Sequence, residues 1–368
     1  MSGIKARFLA GFIFLCSLLS GCSIIAPQTS VLRAQRPADL PRQIELTQVP
    51  FFPQEDYYCG PAALAMVLNA AGVKVSPDDL VDQVYLPGRK GSLQVEMVAA
   101  ARRRGLVAIE LAPLMTDMLR EIAGGTPVIV LENYGPFSFA PVWHYSVVVG
   151  YDLDQLIIIR RSGVQQRRPT PLPIFEKIWK EEKYWAMIAV PPDRMPATAT
   201  ETQYASAVVA LERIGQTQSA LTAYTTMLKR WPTSLSALMG RGNAAYALKD
   251  LPTAEAAFRD AAKAHPDSAA SLNNLASVLA ERGNLPEALT VAERAVALGG
   301  PLLPQTSETL AEIREKAAVA AREQAARQAA EQAAAEAARA AAAATEARAK
   351  PAPETRKPPA RRRKPATI

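Results

Sequence analysis

Apolar residues recur at helical spacing in several segments between positions 47 and 191. In one of them Leu64, Val67 and Leu68 form a single stripe, with Pro61 suited to the first helical position and Gly72 to the stop. The same criteria, together with clusters of β-branched residues, predict the remaining elements. The predicted helices cover 61–71, 77–84, 93–104 and 116–123, and the predicted strands cover 106–111, 127–131, 144–150, 156–161 and 184–190. The mixture predicts an α+β domain over residues 47–191.

Two of the predicted strands form a hairpin. The β-rich runs 147–149 and 156–159 flank a turn-forming segment, residues 150–155. With the turn centred near Leu153, we expect His144 to face about residue 162 on the opposite strand.

The second half of the chain repeats with a period of 34 residues. Trp231 and His265, each followed by proline, are separated by this period, and so are Leu251 and Leu285. A small residue and an aromatic residue on successive helices at this spacing resemble tetratricopeptide repeats. The resemblance implies an all-α solenoid over residues 201–301, in which stacked helical hairpins bury one another's apolar faces.

Proline and helix-forming residues delimit the rest of the second half. A proline-rich linker over 192–200 separates the first domain from the repeats. After the repeats, the composition of 306–349 is rich in Ala, Glu, Arg and Gln, which predicts a long, solvated helix. The final segment, 350–368, is basic, proline-rich and of low complexity, so we expect it to be disordered.

The net charge of +7 comes from the end of the chain. From Arg348 onward there are eight basic residues and one acidic residue, which together equal the whole excess. The folded part is therefore close to neutral, and nucleic acid is not an expected partner. The sequence also shows no metal-ligand spacing, phosphate-binding loop or cofactor motif, so no metal or cofactor is expected.

The first residues are typical of an export signal. Basic residues precede a short apolar run, and Leu19-Ser20-Gly21-Cys22 resembles a bacterial lipobox. The resemblance implies a signal peptide over 1–21, lipidation of Cys22 and a tether over 22–46; an ordinary signal peptide is the alternative. Because Ser23 stands where an aspartate would signal inner-membrane retention, we expect an anchor in the outer membrane facing the periplasm.

An exported chain with one thiol needs an explanation. Cys16 leaves with the signal and Cys22 is lipidated, so only Cys59 remains of three cysteines. It stands at the predicted start of a helix, where free N–H groups are expected to lower the pKa of the thiol. A buried, inert cysteine is the alternative. Gly60 beside it is expected to let the backbone approach a substrate closely.

Two further residues could complete a catalytic site. His144, at the start of a predicted strand, is the candidate general base, because the other histidine, His265, belongs to the repeats. Gln54 could donate an N–H to the oxyanion that forms when a thiolate attacks a carbonyl. Tyr134, Trp143 and Phe137 flank His144, where they are expected to pack in the core or, alternatively, to shape a substrate groove.

Two segments of the sequence resemble a known family. "QEDYYCGPAALAMVLNAAG" and "WHYSVVVGYD" look like the double-glycine, bacteriocin-processing cysteine peptidases of the papain-like clan. The resemblance implies a papain-like α+β domain, with Cys59 as nucleophile, His144 as general base and acid, and Gln54 in the oxyanion hole. The family's histidine-orienting aspartate is absent, because 160–163 reads Arg-Arg-Ser-Gly. Ser162 is the candidate for that task.

Three functions follow as hypotheses. The first is a lipid-anchored cysteine peptidase of the cell envelope that hydrolyses peptides or proteins through a thioester and binds a protein partner with its repeats. The second keeps the thioester but makes the reaction amide hydrolysis or acyl transfer. The third is an inactive peptidase fold that serves as an adaptor. The missing carboxylate favours the third, and the Cys59, His144 and Gln54 set favours the first two.

Overall fold

The computed structural model describes residues 26–54, 58–135 and 138–349 of the 368-residue chain. The signal peptide predicted over 1–21, the lipidation site Cys22 and the tail predicted over 350–368 lie outside these residues, as does Phe137. The chain divides into two compact units, one ending at Leu275 and the other beginning with the next residue.

An antiparallel sheet of seven strands forms the centre of the first unit. The described strands are β1 (Gln43–Glu45), β2 (Tyr85–Leu86), β3 (Gly91–Ser92), β4 (Val107–Glu110), β5 (Val128–Asn133), β6 (Trp143–Asp152), β7 (Ile157–Ser162), β8 (Gln165–Pro171) and β9 (Ala186–Val190). The order across the sheet is β4-β9-β5-β6-β7-β8, and β1 pairs with the end of β6. β2 and β3 form a separate hairpin.

Six helices accompany the sheet, and the repeats and the long helix follow. Those of the sheet domain are α1 (Pro27–Ala34), α2 (Cys59–Ala70), α3 (Asp78–Val84), α4 (Gln94–Arg103), α5 (Met115–Ala123) and α6 (Leu172–Lys180). The later ones are α7 (Glu201–Arg213), α8 (Thr217–Arg230), α9 (Leu235–Ala247), α10 (Leu251–Ala264), α11 (Ala269–Glu281), α12 (Leu285–Ala297) and α13 (Leu303–Ala349).

Helix α2 is the central helix of the sheet domain. Every residue from Gly60 to Leu68 is buried, and the helix packs against β5, β6 and β9. The periodicity predicts one buried stripe along the helix, but the burial extends around all of its faces over these residues. Because the segment is apolar all round, the helix is enclosed on all sides, as such helices generally are.

The α+β class and the element order of the sheet domain agree with the prediction. Within residues 47–191, the elements missed are strand β8, helix α6 and the short hairpin of β2 and β3. Strand β8 reads Gln-Gln-Arg-Arg-Pro-Thr-Pro, and its mostly exposed residues show no apolar alternation. It forms because it lies at the edge of the sheet, where prolines and charged residues are tolerated and pairing with β7 suffices.

The described part of the predicted tether is not a tether, so that prediction was wrong. Residues 27–34 form helix α1, and 43–45 form strand β1. The buried carboxylate of Glu176 accepts hydrogen bonds from the backbone N–H groups of Gln28 and Thr29 and from the Thr29 hydroxyl, at 2.6 to 2.9 Å. A carboxylate at a helix N-terminus is electrostatically favourable, and this one fixes α1 to the domain.

The segment predicted as a linker, 192–200, is held in place. Buried Glu121 accepts hydrogen bonds from the backbone N–H groups of Ala197 and Thr198 and from the Thr198 hydroxyl. Helix α7 then begins with a capping box formed by Thr200 and Gln203. The sheet domain and the first repeat helices therefore belong to one compact unit.

The repeat signature has a steric basis within the first unit. A Cβ atom on Gly240 of α9 would lie 2.2 Å from the ring of Tyr224 in α8. A Cβ atom on Gly242 would likewise lie 2.4 Å from the ring of Phe258 in α10. The alternation of small and aromatic residues is therefore what brings neighbouring repeat helices into contact.

In the second unit, α13 packs against α12 with its first turns only. Leu310 and Ile313 are buried, and Arg314 forms an ion pair with Glu293 at 2.9 Å. Beyond Val319 the described side chains of the helix are exposed, as its alanine-rich composition predicts. Among the described residues, no helix combines the length and the apolar character that crossing a membrane requires.

Candidate active site

Cys59 is the first residue of helix α2. The helix begins two residues before the predicted Pro61, so the thiol belongs to the first turn. The preceding residue, Tyr58, stacks on Tyr85 of the β2–β3 hairpin, with ring centroids 5.2 Å apart. The nucleophile candidate therefore follows an aromatic contact and begins a closely packed helix. Its side chain is half-buried and forms no disulfide with a described residue.

Burial raises the pKa of the Cys59 thiol above its usual value. The backbone N–H groups of Tyr145, Gly60 and Cys59 itself favour the thiolate and oppose that rise, but burial prevails. The prediction that the helix start lowers the thiol pKa was therefore wrong in its net result. Tyr145 directly follows His144 on strand β6, so its backbone N–H brings the sulfur of Cys59 close to that strand.

His144 lies on β6, where it pairs with Glu132 of β5. Its Nε2 atom is 3.0 Å from the Ser162 hydroxyl, and its ring stacks on Tyr134 with centroids 5.1 Å apart. The β6–β7 ladder contains a bulge and pairs Val147 with Arg161, so His144 does not lie directly opposite Ser162 as predicted. The contact between the two side chains exists nevertheless, because the imidazole reaches diagonally across the hairpin.

The imidazole is neutral over the physiological range. Burial, followed by the positive charges of Arg160 and Arg168, lowers the pKa of His144 to about 4. A neutral imidazole can accept a proton, which is the state that a general base requires. At rest the structure thus favours a neutral thiol and a neutral imidazole.

Gln54 is buried and joined to both strands of the hairpin. Its side-chain N–H donates to the Tyr145 carbonyl at 3.2 Å, and its side-chain oxygen accepts from the Gly163 N–H at 2.7 Å. The backbone N–H of Gln54 also donates to the Gly163 carbonyl. One of the two amide protons is thereby occupied, and the second has no partner among the described residues.

These side chains border one groove with a volume of about 1060 Å³. Its lining includes Gln54, Cys59, Ser92, Trp143, His144 and Ser162. Gly60 has a different role from the one predicted. A Cβ atom there would lie 2.1 Å from the Ser92 hydroxyl oxygen, so the missing side chain makes room for the β2–β3 hairpin.

Two family models match separate parts of the chain. The model of the Peptidase C39 like family matches residues 46–187, and the tetratricopeptide repeat model matches residues 207–264 and 250–301. Residues 46–187 are a C39-like peptidase domain. The chain thus combines a peptidase fold with tetratricopeptide repeats.

Solved structures resemble separate portions of the chain. A putative C39-like peptidase from Bacillus anthracis is 18% identical, with a TM-score of 0.35, and the match covers 42% of this chain and 100% of that one. The first TPR of Spaghetti bound to an HSP90 peptide is 19% identical over 32% of this chain and 93% of that one, with a TM-score of 0.31. The TPR2B domain of yeast Sti1 in its pHsp70 complex is 18% identical over 32% and 99%, also with a TM-score of 0.31. No curated protein sequence matches the chain.

The C39-like domain also contains polar residues that the sequence analysis did not connect with the site. Glu132 and Arg160 form a fully buried ion pair directly behind His144. Tyr134, expected to pack, donates its hydroxyl to Glu132 at 3.0 Å and lies 3.3 Å from the Ser162 hydroxyl oxygen. A signal was present, because a lone acid in the apolar run VIVLEN and an arginine in IIIRRS each call for a buried partner.

The described residues hold no cluster of three or more histidine, cysteine, aspartate or glutamate side chains with metal-binding geometry.

Proposed function

We propose that this protein is a cysteine peptidase of the cell envelope, anchored by lipid, with Cys59 as nucleophile and His144 as general base and acid. The observation that carries the proposal is the convergence of Cys59, His144 and Gln54 on one groove of the C39-like domain. Gln54 and Cys59 lie close together in the sequence, in the loop before α2 and at the start of that helix, whereas His144 comes from the remote strand β6.

The proton transfers follow from the resting state. Because thiol and imidazole are both neutral, His144 takes the thiol proton as Cys59 attacks the peptide carbonyl. The carbonyl carbon becomes tetrahedral, and its collapse releases the amine, which takes the proton from His144. Water, deprotonated by His144, then hydrolyses the thioester and regenerates the thiol.

Two donors are available to the oxyanion. One is the backbone N–H of Cys59, at the start of α2, and the other is the second proton of the Gln54 amide, which does not donate to a described residue. The bonds from Gln54 to Tyr145 and Gly163 fix the amide plane before substrate arrives. Such preorganisation is what makes an oxyanion site effective.

The anchor and the repeats complete the proposal. If Cys22 carries lipid, only three residues separate it from buried Ala26, so the anchor lies at most about 14 Å of chain from the domain. The domain would then work close to the membrane surface, in our proposal the periplasmic face of the outer membrane. The repeats, of a type that binds protein segments, would bring a partner or substrate to it.

A second candidate is an inactive peptidase fold acting as an adaptor. One observation favours it: the group in contact with His144 Nε2 is the hydroxyl of Ser162 and not a carboxylate. A thioester-forming amidase or acyltransferase would use the same groove and the same residues.

The deciding experiment measures thiol reactivity and peptide cleavage together. In the full chain with Cys16 and Cys22 replaced by serine, Cys59 is the remaining thiol, and its alkylation by iodoacetamide is timed alongside cleavage of a quenched peptide library. We expect Cys59→Ala to abolish both and His144→Ala to slow cleavage by about 100-fold or more.

His265→Ala is the matched control, because it removes the other histidine, which contacts the Thr233 carbonyl in the repeats. It should leave both rates unchanged. Absence of cleavage, with labelling of Cys59 that is indifferent to His144→Ala, would contradict the peptidase and favour the adaptor.

A further inference from the structure

The hydroxyl of Tyr134 stands between His144 and the buried ion pair. Its oxygen is 3.0 Å from Glu132 Oε2, 3.1 Å from Arg160 Nη1 and 3.3 Å from Ser162 Oγ, with Arg168 Nη1 farther away at 3.4 Å. Ser162 Oγ in turn is 3.0 Å from His144 Nε2. A continuous path of hydrogen bonds therefore joins the imidazole to the carboxylate of Glu132, the residue paired with His144 on strand β5.

The chemistry of the groups fixes the direction of the bonds at the Glu132 end of this path. A carboxylate accepts only and a guanidinium donates only. The single Tyr134 proton therefore goes to Glu132, and the phenol oxygen is left as an acceptor. Ser162 can then donate to Tyr134, and its own oxygen accepts from an N–H at His144 Nε2.

We propose that Glu132 is a positioning residue for His144, acting through Tyr134 and Ser162 to hold the imidazole in its Nε2–H tautomer. Nδ1 is then the one proton acceptor of the ring, and it takes the Cys59 proton. This inference rests on the proposed peptidase function and assigns to Glu132 the orienting task that the resembled family gives to an aspartate.

The proton balance stays simple. One proton moves from the sulfur of Cys59 to Nδ1 of His144, and the Nε2 proton does not leave the ring. The resulting imidazolium donates more strongly to Ser162, and the hydrogen bonds along the path polarise in the same direction towards Glu132. Glu132 accepts no proton in this scheme: burial raises the pKa of its carboxyl, and Arg160 together with the Tyr134 and Ser146 hydroxyls opposes that rise.

The test cuts the path without removing the ion pair. Tyr134→Phe deletes one hydroxyl and keeps the ring that stacks on His144. Ser146→Ala is the matched control, since its hydroxyl also donates to Glu132 Oε2 at 3.0 Å but does not lead to His144. Glu132→Gln removes the charge itself, and Ser162→Ala replaces Tyr134→Phe if that variant does not fold.

The first readout is the tautomer, which packing alone would not change. The chain has two histidines, so ¹⁵N spectra of the imidazoles in the full chain at pH 7 are assigned with a His265→Gln variant. We expect one Nε2–H tautomer for His144 in the wild type and in Ser146→Ala. We expect a mixture of tautomers in Tyr134→Phe and Glu132→Gln.

The second readout is the alkylation rate of Cys59, expected to fall about tenfold in Tyr134→Phe and less than twofold in Ser146→Ala. An Nδ1–H tautomer in the wild type, or an unchanged tautomer in Tyr134→Phe, would overturn the inference. A tautomer that shifts as expected in a protein that cleaves no peptide would uphold the role of Glu132 and refute the peptidase function, so the two failures are distinguishable.

Discussion

The two walls of the groove are built in opposite ways. On the nucleophile side, Cys59 begins a helix whose next nine residues are all buried and whose packing is apolar. On the base side, His144 rests on a layer of polar groups that includes a fully buried ion pair. The first wall is positioned by close packing and the second by directed hydrogen bonds, so the two should respond differently to substitution and to pH.

The largest expected difference comes from breaking the ion pair on the base side. Arg160→Met leaves the Glu132 carboxylate buried without its guanidinium partner. The Thr170 hydroxyl also loses the hydrogen bond that Arg160 Nη2 donates to it. Leaving a buried charge uncompensated costs about 3–5 kcal/mol, so we expect a loss of that order in urea unfolding.

The double variant Arg160→Met with Glu132→Leu is the control, because it removes both charges. It should recover much of the lost stability, since apolar replacements of a buried pair are often neutral or better. Equal stability of the single and double variants would show that the ion pair does not hold this wall.

The second largest effect is a dependence of stability on pH that belongs to His144. The pKa of His144 is about 4 in the folded domain and 6.5 for an unperturbed imidazole, because of burial and the charges of Arg160 and Arg168. Between these values the unfolded chain binds a proton that the folded chain does not. Stability should therefore fall as the pH drops from about 6.5 to about 4, by up to about 3 kcal/mol.

Urea unfolding of the wild type and of His144→Gln, measured at several pH values in this interval, isolates that contribution. The variant should lose the corresponding part of the slope while other titrating groups act on both proteins alike. Parallel pH profiles would mean that the imidazole is not desolvated as the structure indicates.

The contrast between the walls also explains what the sequence could and could not predict. Helix α2 follows from local periodicity, and the α+β class follows from the order of such elements. The contact of His144 with Ser162 was expected, although the ladder register differs because of the bulge near Val148. Glu132 and Tyr134 join the site only through pairing between strands that are not connected by a short turn, and no local pattern specifies that.

The wrong predictions for the pKa of Cys59 and for the tether have the same origin. The helix start at Cys59 does favour a thiolate, as the sequence indicates, but how deeply the sulfur is buried depends on elements far along the chain. Helix α1 was taken for part of a tether because its anchor, Glu176, lies on α6. In both cases the deciding partner is remote in sequence.

The smallest expected effect tests the nucleophile side by steric means. Gly60→Ala places a Cβ atom 2.1 Å from Ser92 Oγ and 2.6 Å from Ser92 Cβ, so the β2–β3 hairpin or the first turn of α2 must move. Overpacking of this kind costs about 1–3 kcal/mol. Because Cys59 directly precedes Gly60, we expect the alkylation rate of Cys59 to fall together with the stability.

Ser92→Gly in the same chain removes both clashing atoms, and the double variant should regain the stability and the Cys59 reactivity that Gly60→Ala loses. Independent, additive losses in the double variant would mean that the two residues are not coupled and that another contact requires the glycine. Rescue would show that packing of the hairpin against the helix helps to position the thiol. The two walls could then be altered separately.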